Sequence, residues 1–267
     1  MSLVHPTAVV SPQAELDVSV EVGAYCVIGP HVRIGAGTVL GPHVVIDGHT
    51  TLGRDNRLHP FASIGGAPQD KKYRGEPTRV EIGDSNTIRE GVTVNRGTVQ
   101  DEGVTRIGHG NWIMAYVHIA HDCVVGDNTI FANSTNLGGH VRIGDWVILG
   151  GASGVHQFCQ IGAHAMTAVG SVVLHDVPPF VMVSGNSAQA HGINTEGLRR
   201  RGFSAGRIDA IRRGYRLLYR EGLTLAQARD ALASEARRRD LDPAGEAGAD
   251  LALFAGFLEG VTRGIVR

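Results

Sequence analysis

The chain has 267 residues, of which 42% are hydrophobic, 5% aromatic and 19% charged, and its formal net charge is −1. This composition is too apolar for a disordered protein, and the small net charge with few aromatic residues argues against a nucleic-acid partner. No run of about 18 apolar residues is present and no basic-then-apolar leader opens the chain, so we expect a cytoplasmic protein without membrane insertion.

An aliphatic residue recurs every six positions from the start of the chain. The series runs Val4, Val10, Leu16, Val22, Ile28, Ile34, Leu40, Ile46, Leu52, Leu58, Ile64. It resumes at Ile82 and, after a one-residue slip, continues from Ile107 to Ile161. Six residues is neither a helical nor a hairpin period, but three hexads make a triangular coil of 18 residues whose copies stack as parallel strands. The sequence therefore predicts a parallel β-helix over residues 1–186.

Two segments interrupt the hexads. Residues 67–79 are polar and lack the aliphatic step, and residues 100–103 contain the slip. Both are predicted to be loops that leave the β-helix, and loops on a rigid scaffold often carry function.

Helical spacing replaces the hexads in residues 187–267, which are predicted to form a C-terminal α-helical domain. Ser204 is expected to cap one helix, and Thr224 with Gln227 resembles the capping box of the next. Pro243 is expected to open a third helix.

Charge is divided unevenly between the two predicted domains. Residues 1–186 hold 11 Lys and Arg against 16 Asp and Glu, whereas residues 187–267 hold 14 against 10. Eight arginines and one acid, Asp209, lie within Arg199–Arg220. This run indicates either a solvated helix face or a docking surface for an acidic partner or a phosphate group.

The three cysteines lie four positions after a repeat aliphatic, where small side chains point inward. Cys26, Cys123 and Cys159 are therefore predicted to be buried structural residues, neither nucleophiles nor disulfide partners.

Histidines cluster where stacked coils bring positions 18 apart together. The cluster comprises His118, His121, Asp122, Gly139, His140, His156 and Gln157. In one column, the His121 imidazole can take a proton from a hydroxyl, while Gly139 one coil above presents an amide hydrogen for an oxyanion. Asp122 can orient His121 only if the pair lies at a corner of the coil. This pattern favours acyl transfer, whereas His109 and His164 are predicted to be ladder residues.

Converging imidazoles also suit zinc, which gamma-class carbonic anhydrases bind on this fold. The stacked Gly139 and Gln157 would have no obvious use in such a site.

Several motifs are more specific than the hexads. They are His118-Ile119-Ala120-His121-Asp122, Leu137-Gly138-Gly139-His140, Val155-His156-Gln157-Phe158, Gly75-Glu76-Pro77-Thr78 and Asn194 to Phe203. With them the chain resembles the acyl-[acyl-carrier-protein]–UDP-N-acetylglucosamine O-acyltransferases that open lipid A biosynthesis. The resemblance implies a left-handed β-helix, a homotrimer with its groove between subunits, and no cofactor or metal. It also implies transfer of a 3-hydroxyacyl group from acyl carrier protein to the 3-hydroxyl of UDP-N-acetylglucosamine.

Carried over residue by residue, the resemblance implies that His121 is the general base, Asp122 its partner and the Gly139 amide the oxyanion donor. The implied substrate-binding residues are Gln69, Asp70, Lys72, His118, His140, His156, Gln157, Asn194, Glu196, Arg200 and Arg201. Among them, Asp70, Lys72 and His118 would hold the sugar and diphosphate. The residues from 194 to 201 would hold the nucleotide end, and the arginine run would dock the acidic carrier protein.

The resemblance also implies a chain-length ruler at Val169, at the far end of the acyl groove. A glycine there admits longer chains, so the bulk of Val169 predicts a somewhat shorter hydroxyacyl chain.

Three other functions fit these residues less well. The related N-acyltransferases of the same pathway carry an extra N-terminal uridine-binding domain, which is not expected here because the hexads start at Val4. Acetyl-CoA-dependent hexapeptide acetyltransferases lack the C-terminal helical block, and a non-catalytic scaffold would not need stacked His, Gly and Gln.

Overall fold

The structure is a computed structural model that describes residues 3–238 and 245–267. Successive short strands join three sheets in turn, so the sheets form the three sides of a triangular prism. In most strands the first residue points outward and the second points inward, because side chains alternate along a strand.

The sheets are named first, second and third in the order in which the chain enters them. The first contains Val9–Val10, Val27–Ile28, Val45–Ile46, Ser63–Gly66, Thr93–Asn95, His118–Ile119, Asn136–Leu137, Gly154–Val155 and Val172–Val173. The second contains Glu15–Leu16, Arg33–Ile34, His49–Leu52, Arg79–Ile82, Val104–Ile107, Val124–Val125, Arg142–Ile143 and Gln160–Ile161. The third contains Glu21–Val22, Val39–Leu40, Arg57–Leu58, Thr87–Ile88, Trp112–Ile113, Ile130–Phe131, Ile148–Leu149, Met166–Thr167, Val181–Ser184 and Gln189–Ile193.

Strand pairing repeats the 18-residue coil, as in the pairing of Val9 with Val27. The sequence separation between paired residues rises from 18 to 30 where Arg79 pairs with His49, and to 25 where Val104 pairs with Arg79. The extra residues are the two interruptions of the hexads, which form loops outside the prism. Parallel pairing resumes beyond each loop, with one register shift where Gly66 pairs with Asn95, so each loop leaves the stack of coils and returns to it.

The hexad aliphatics fill the prism. From Val22 to Ile161, none of them is more than 4% exposed. The three cysteines are free and buried at the small inward positions, and burial raises the pKa of the Cys123 thiol to about 12.

The corners of the prism turn through residues in the left-handed region. Asp122, His140 and Phe158 have positive φ at the corner between the first and second sheets. Trp146 and His164 occupy the same position at the corner between the second and third sheets. Because these positions recur from coil to coil, the rings stack along each corner.

The helices follow the third sheet and pack against the last coils. They are α1 (Thr195–Arg200), α2 (Ala205–Tyr219), α3 (Leu225–Ala236) and α4 (Glu246–Glu259). Ser204 accepts a hydrogen bond from the Arg207 amide at the start of α2, and Thr224 and Gln227 form a capping box at α3, as predicted. Pro243 lies outside the described residues.

The third sheet continues past the predicted domain boundary at residue 186. The strand Gln189–Ile193 pairs antiparallel with Val181–Ser184, so the first helix begins only at Thr195. Within the described residues, no helix combines the length and apolar character needed to cross a bilayer.

Candidate active site

His121 and Asp122 form a hydrogen-bonded pair at the corner between the first and second sheets. His121 Nδ1 lies 2.9 Å from Asp122 Oδ2. The positive φ of Asp122 turns its side chain back beside the imidazole, which an extended strand would not allow for neighbours in sequence. The His121 side chain is 15% exposed and that of Asp122 only 1%. A bond from Nδ1 to the carboxylate leaves Nε2 as the nitrogen that can accept a proton.

The loop at the hexad slip holds the carboxylate of Asp122. Thr98 donates to Asp122 Oδ1 from its amide at 2.8 Å and to Oδ2 from its hydroxyl at 2.6 Å. Burial alone would raise the pKa of this carboxyl, but the bonds from His121 and Thr98 more than offset it and hold the pKa below its usual value. Asp122 is therefore an ionised, fixed acceptor for the imidazole.

Gly139 lies directly against the His121 ring. A Cβ at this position would be 2.5 Å from His121 Cε1 and 2.7 Å from Nε2, so no larger residue fits without moving the imidazole. Among the described residues, no acceptor takes the amide hydrogen of Gly139, whereas its carbonyl accepts from the Phe158 amide at 3.0 Å. The column thus presents an unengaged amide beside the proton-accepting nitrogen.

His140 packs in the same corner. Its ring stacks on Phe158 with centroids 4.4 Å apart and meets the His121 ring edge-on at 5.1 Å. His140 Nδ1 lies 2.9 Å from Asp101 Oδ2, and its Nε2 lies 3.8 Å from Asp122 Oδ2. Two carboxylates therefore flank this imidazole.

The remaining histidines of the cluster differ in burial. His118 is bonded through Nδ1 to the Thr93 hydroxyl at 2.8 Å, and burial, with the nearby His121, lowers its pKa. His156 and Gln157 are exposed, and His156 Nδ1 lies 3.1 Å from the Gln157 carbonyl oxygen. His118 is therefore a neutral, anchored ring, whereas His156 and its neighbour Gln157 line the open side of the corner.

The loop predicted at residues 67–79 reaches the same corner. The Lys72 amide donates to Asp70 Oδ1 at 2.9 Å, and this bond, with the attraction of Lys72, His121 and His140, lowers the pKa of Asp70. Lys72 and Gln69 are exposed. A cationic and an anionic side chain thus face the imidazoles from outside the prism.

A second cluster lies on the third sheet. A cavity of about 630 Å³ opens between that sheet and α1. Its lining includes Asn128, Ile130, Trp146, Ile148, Met166, Met182, Ile193, Asn194, Thr195, Glu196, Gly197, Arg200 and Arg201. The third sheet is the side of the prism opposite the His121 corner, so within one chain the two clusters do not meet.

Four residues of this cavity are the predicted nucleotide-binding residues, and two of them, Asn194 and Arg201, already have partners within the chain. Asn194 caps α1 by accepting from the Gly197 amide at 3.1 Å, and its Nδ2 donates to the His164 carbonyl at 3.1 Å. Arg201 lies over the Trp146 ring and within 3.1 Å of His164 Nδ1. Burial and the Arg201 charge lower the pKa of His164 to about 4, so this ring is a neutral acceptor.

The other two predicted nucleotide-binding residues in this cavity are exposed. Glu196 and Arg200 form an ion pair at 3.0 Å, one helical turn apart. Val169, the predicted chain-length ruler, lies in neither cluster. It is 80% exposed at the corner between the third and first sheets.

The His121 corner also has the donor set of a metal site. Among the described residues, His121, Asp122 and His140 bring possible ligand atoms within 4.8 Å of one another. Imidazole nitrogens with a carboxylate suit zinc. Here Asp122 Oδ2 already accepts from Thr98 and faces His121, so a metal would have to displace these bonds.

Comparisons with known proteins identify the family. Residues 176–266 match the family described as Udp N-acetylglucosamine O-acyltransferase, domain 2, and residues 19–48 and 105–139 match the bacterial transferase hexapeptide repeats. The acyl-[acyl-carrier-protein]–UDP-N-acetylglucosamine O-acyltransferase of Herminiimonas arsenicoxydans is 62% identical, and that of Thiobacillus denitrificans 61%, over 100% of both chains. The chain belongs to this O-acyltransferase family.

Solved structures of the family share the fold. LpxA from Acinetobacter baumannii superposes with a TM-score of 0.93 at 48% identity, covering 99% of this chain and 100% of that one. UDP-N-acetylglucosamine O-acyltransferase from Moraxella catarrhalis RH4 gives 0.93 at 46% identity, with the same coverage. The predicted left-handed parallel β-helix with a C-terminal α-helical part is confirmed, and the chain is an acyltransferase.

Sequence reasoning missed the residues that hold the site together. Thr98 and Asp101 return from the loop to Asp122 and His140. The hexad slip marks this loop but does not indicate which of its side chains point back. Trp146 was also missed, although it lies one coil before His164 in the same corner column.

Proposed function

We propose that this O-acyltransferase transfers a 3-hydroxyacyl group from acyl carrier protein to the 3-hydroxyl of UDP-N-acetylglucosamine, the first step of lipid A biosynthesis. The observation that carries the proposal is the unengaged Gly139 amide beside the Asp122-bound His121 imidazole. Acyl transfer from a thioester needs these two groups together, one to accept the hydroxyl proton and one to stabilise the oxyanion.

The reaction follows from this arrangement. His121 Nε2 takes the proton of the sugar hydroxyl as the oxygen attacks the thioester carbonyl. The carbonyl oxygen becomes an oxyanion and accepts a hydrogen bond from the Gly139 amide. Collapse of the tetrahedral intermediate expels the carrier thiolate, which takes the proton back from His121, while Asp122 stabilises the transient imidazolium.

A homotrimer would unite the two clusters. Outward positions of the second sheet are mostly polar or charged, whereas the first and third sheets expose apolar side chains. These are Val9, Val27 and Val45 on the first sheet and Trp112 and Ile130 on the third. Exposed apolar surface of this extent favours burial against another subunit. With both apolar sheets facing neighbours around a three-fold axis, the first-sheet side of one subunit meets the third-sheet cavity of the next.

In such a trimer the substrate-binding residues have separate tasks. Asp70, Lys72 and His118 would hold the sugar and diphosphate beside the base, with Gln69, His140, His156 and Gln157 along the groove. Glu196 and Arg200 of the neighbouring copy would bind the nucleotide end. Asn194 and Arg201, which are already bonded within the chain, would shape that cavity and add their remaining donors.

The carrier protein would dock on the arginines of α1 and α2. Arg207 and Arg213 are ion-paired to Asp250 and Glu235 inside the helical part. The exposed arginines of the run are Arg199, Arg200, Arg212, Arg216 and Arg220. With Arg200 assigned to the nucleotide end, the other four would form the basic surface that an acidic carrier requires.

The test is turnover of UDP-N-acetylglucosamine with 3-hydroxyacyl carrier proteins of increasing chain length. We expect one preferred length, and His121→Ala should lower kcat by about 10²–10⁴ with the assembly unchanged by size exclusion. His109→Ala, whose ring is 59% exposed beside Asp84, is the matched control and should retain activity. A folded assembly that transfers no acyl chain to the sugar nucleotide would contradict the proposal.

A further inference from the structure

The loop of residues 97–103 contacts the candidate active site at two points. Thr98, near its start, holds both oxygens of Asp122. Asp101, near its tip, places Oδ2 at 2.9 Å from His140 Nδ1. One loop therefore fixes the partner of the general base and also the next imidazole in the corner.

The carboxylate of Asp101 is held in a defined orientation. Its Oδ1 accepts from the Glu102 amide at 2.9 Å, and the Asp101 amide donates to the Thr98 carbonyl at 3.2 Å. Oδ2 is thereby directed at His140. The His140 side chain is 14% exposed and that of Asp101 33%, so the contact is at the edge of the site and partly shielded from water.

This contact determines which nitrogen of His140 carries hydrogen. A carboxylate can only accept, so Nδ1 must donate and bear the hydrogen. The ring cannot easily turn away, because it is stacked on Phe158. Nε2 is left facing Asp122 Oδ2 at 3.8 Å, too far for a hydrogen bond of its own.

We propose that Asp101 is a positioning residue that fixes the Nδ1–H form of His140 and so presents Nε2 to a hydroxyl or amide donor of the bound sugar nucleotide. Asp122 Oδ2 is already bonded to Thr98 and faces His121, so it offers Nε2 no hydrogen, and the Nε2 lone pair is left for a donor of the substrate. The inference rests on the proposed function, because it assigns His140 to the sugar nucleotide of that reaction. Asp101 acts through His140 and has no contact with the reacting atoms.

Three variants separate the orientation of His140 from other roles of the loop. Asp101→Ala removes the acceptor, whereas Asp101→Asn keeps an oxygen that can accept the Nδ1 hydrogen. Glu102→Gln is the matched control, because Glu102 is the adjacent loop carboxylate and pairs with Arg106 instead of His140.

The first measurement is the tautomer of His140 in the full-length protein labelled with ¹⁵N-histidine, assigned by loss of its signals in His140→Gln. We expect Nδ1–H in the wild type, in Asp101→Asn and in Glu102→Gln, and a shift towards Nε2–H in Asp101→Ala. The second is steady-state kinetics with UDP-N-acetylglucosamine. Asp101→Ala should raise its KM about three- to tenfold with kcat within about twofold, and Asp101→Asn should restore most of the loss.

An unchanged tautomer and KM in Asp101→Ala would overturn the proposal. Equal defects in Asp101→Ala and Glu102→Gln would do the same, because they would reveal a general role of the loop in folding. If the wild type does not act on the sugar nucleotide, the proposed function fails, and the tautomer measurement still decides whether Asp101 orients His140.

Discussion

Replacing Gly139 by alanine tests the site at its tightest contact. The added Cβ would lie 2.5 Å from His121 Cε1 and 2.7 Å from Nε2, whereas ordinary contact begins at 3.4 Å. The backbone of Gly139 is not in the left-handed region, so alanine adds no conformational strain there. The clash therefore acts on the imidazole and not on the fold.

The expected loss can be worked out from these distances. Relief of the contact needs a movement of about 1 Å between Gly139 and the ring, and His121 cannot move that far while keeping its 2.9 Å bond to Asp122. A misplacement of about 1 Å at a reacting group costs roughly 10²-fold in rate. We therefore expect Gly139→Ala to lower kcat about 10²-fold, with little change in the free energy of unfolding.

Initial rates at saturating 3-hydroxyacyl carrier protein and UDP-N-acetylglucosamine measure kcat, and urea unfolding measures stability. Gly256→Ala is the control: Gly256 is an exposed glycine of α4, away from the His121 corner, and its Cβ would have no atom within 4 Å. The kcat of the control should stay within about twofold of that of the wild type. A Gly139→Ala enzyme with a near-normal rate would show that the His121 ring is not the group on which turnover depends.

Three further predictions concern specificity and stability. Val169→Gly should shift the preferred hydroxyacyl chain to a longer one, measured with the same carrier-protein ladder, and an unchanged preference would refute the ruler. His164 has a folded-state pKa of about 4 against an ordinary 6.5, so the unfolded chain binds the extra proton and stability falls as pH drops from about 6.5 to about 4. After allowance for partial exposure, the free energy of unfolding should fall by about 1–2 kcal/mol over this pH range. His164→Gln should abolish this pH dependence, measured by urea unfolding at several pH values across the range. Asn86→Ala should cost about 2–4 kcal/mol in urea unfolding, because Asn86 is fully buried in a ladder of amide bonds, while Asn136→Ala, whose amide is at the surface, should cost under about 1 kcal/mol.

The period of the hexads made most of the fold predictable. A six-residue repeat requires three strands per coil, and equal coils must stack, so residues 18 apart become neighbours. This is why His121, Gly139 and Gln157 could be placed in one column from the sequence. The fit of His121 over Gly139 follows directly from that stacking.

Residues outside the repeat were less predictable. Asp101 belongs to a loop whose path no period fixes, so its contact with His140 could be found only in three dimensions. Asn194 matched a binding motif, yet it also stands at the start of a helix, where its side chain caps α1. Helix-start chemistry would have indicated this second role. Arg201 had no sequence signal for its position over Trp146, because the helices approach the prism through tertiary packing.

The two loops add residues to the candidate active site without interrupting the repeat of the coils. An insertion within the prism would break the 18-residue register between the coils before it and the coils after it. The pairing offsets of 30 and 25 in place of 18 place the additional residues outside, and Arg106 still pairs with Glu81 and Val124. The coils can therefore fix His121 and Gly139 by stacking alone, while the loops add Thr98, Asp101 and Asp70 from outside without disturbing that register. Loop substitutions should accordingly change binding and orientation before they change stability, whereas substitutions in the columns should affect the chemical step directly.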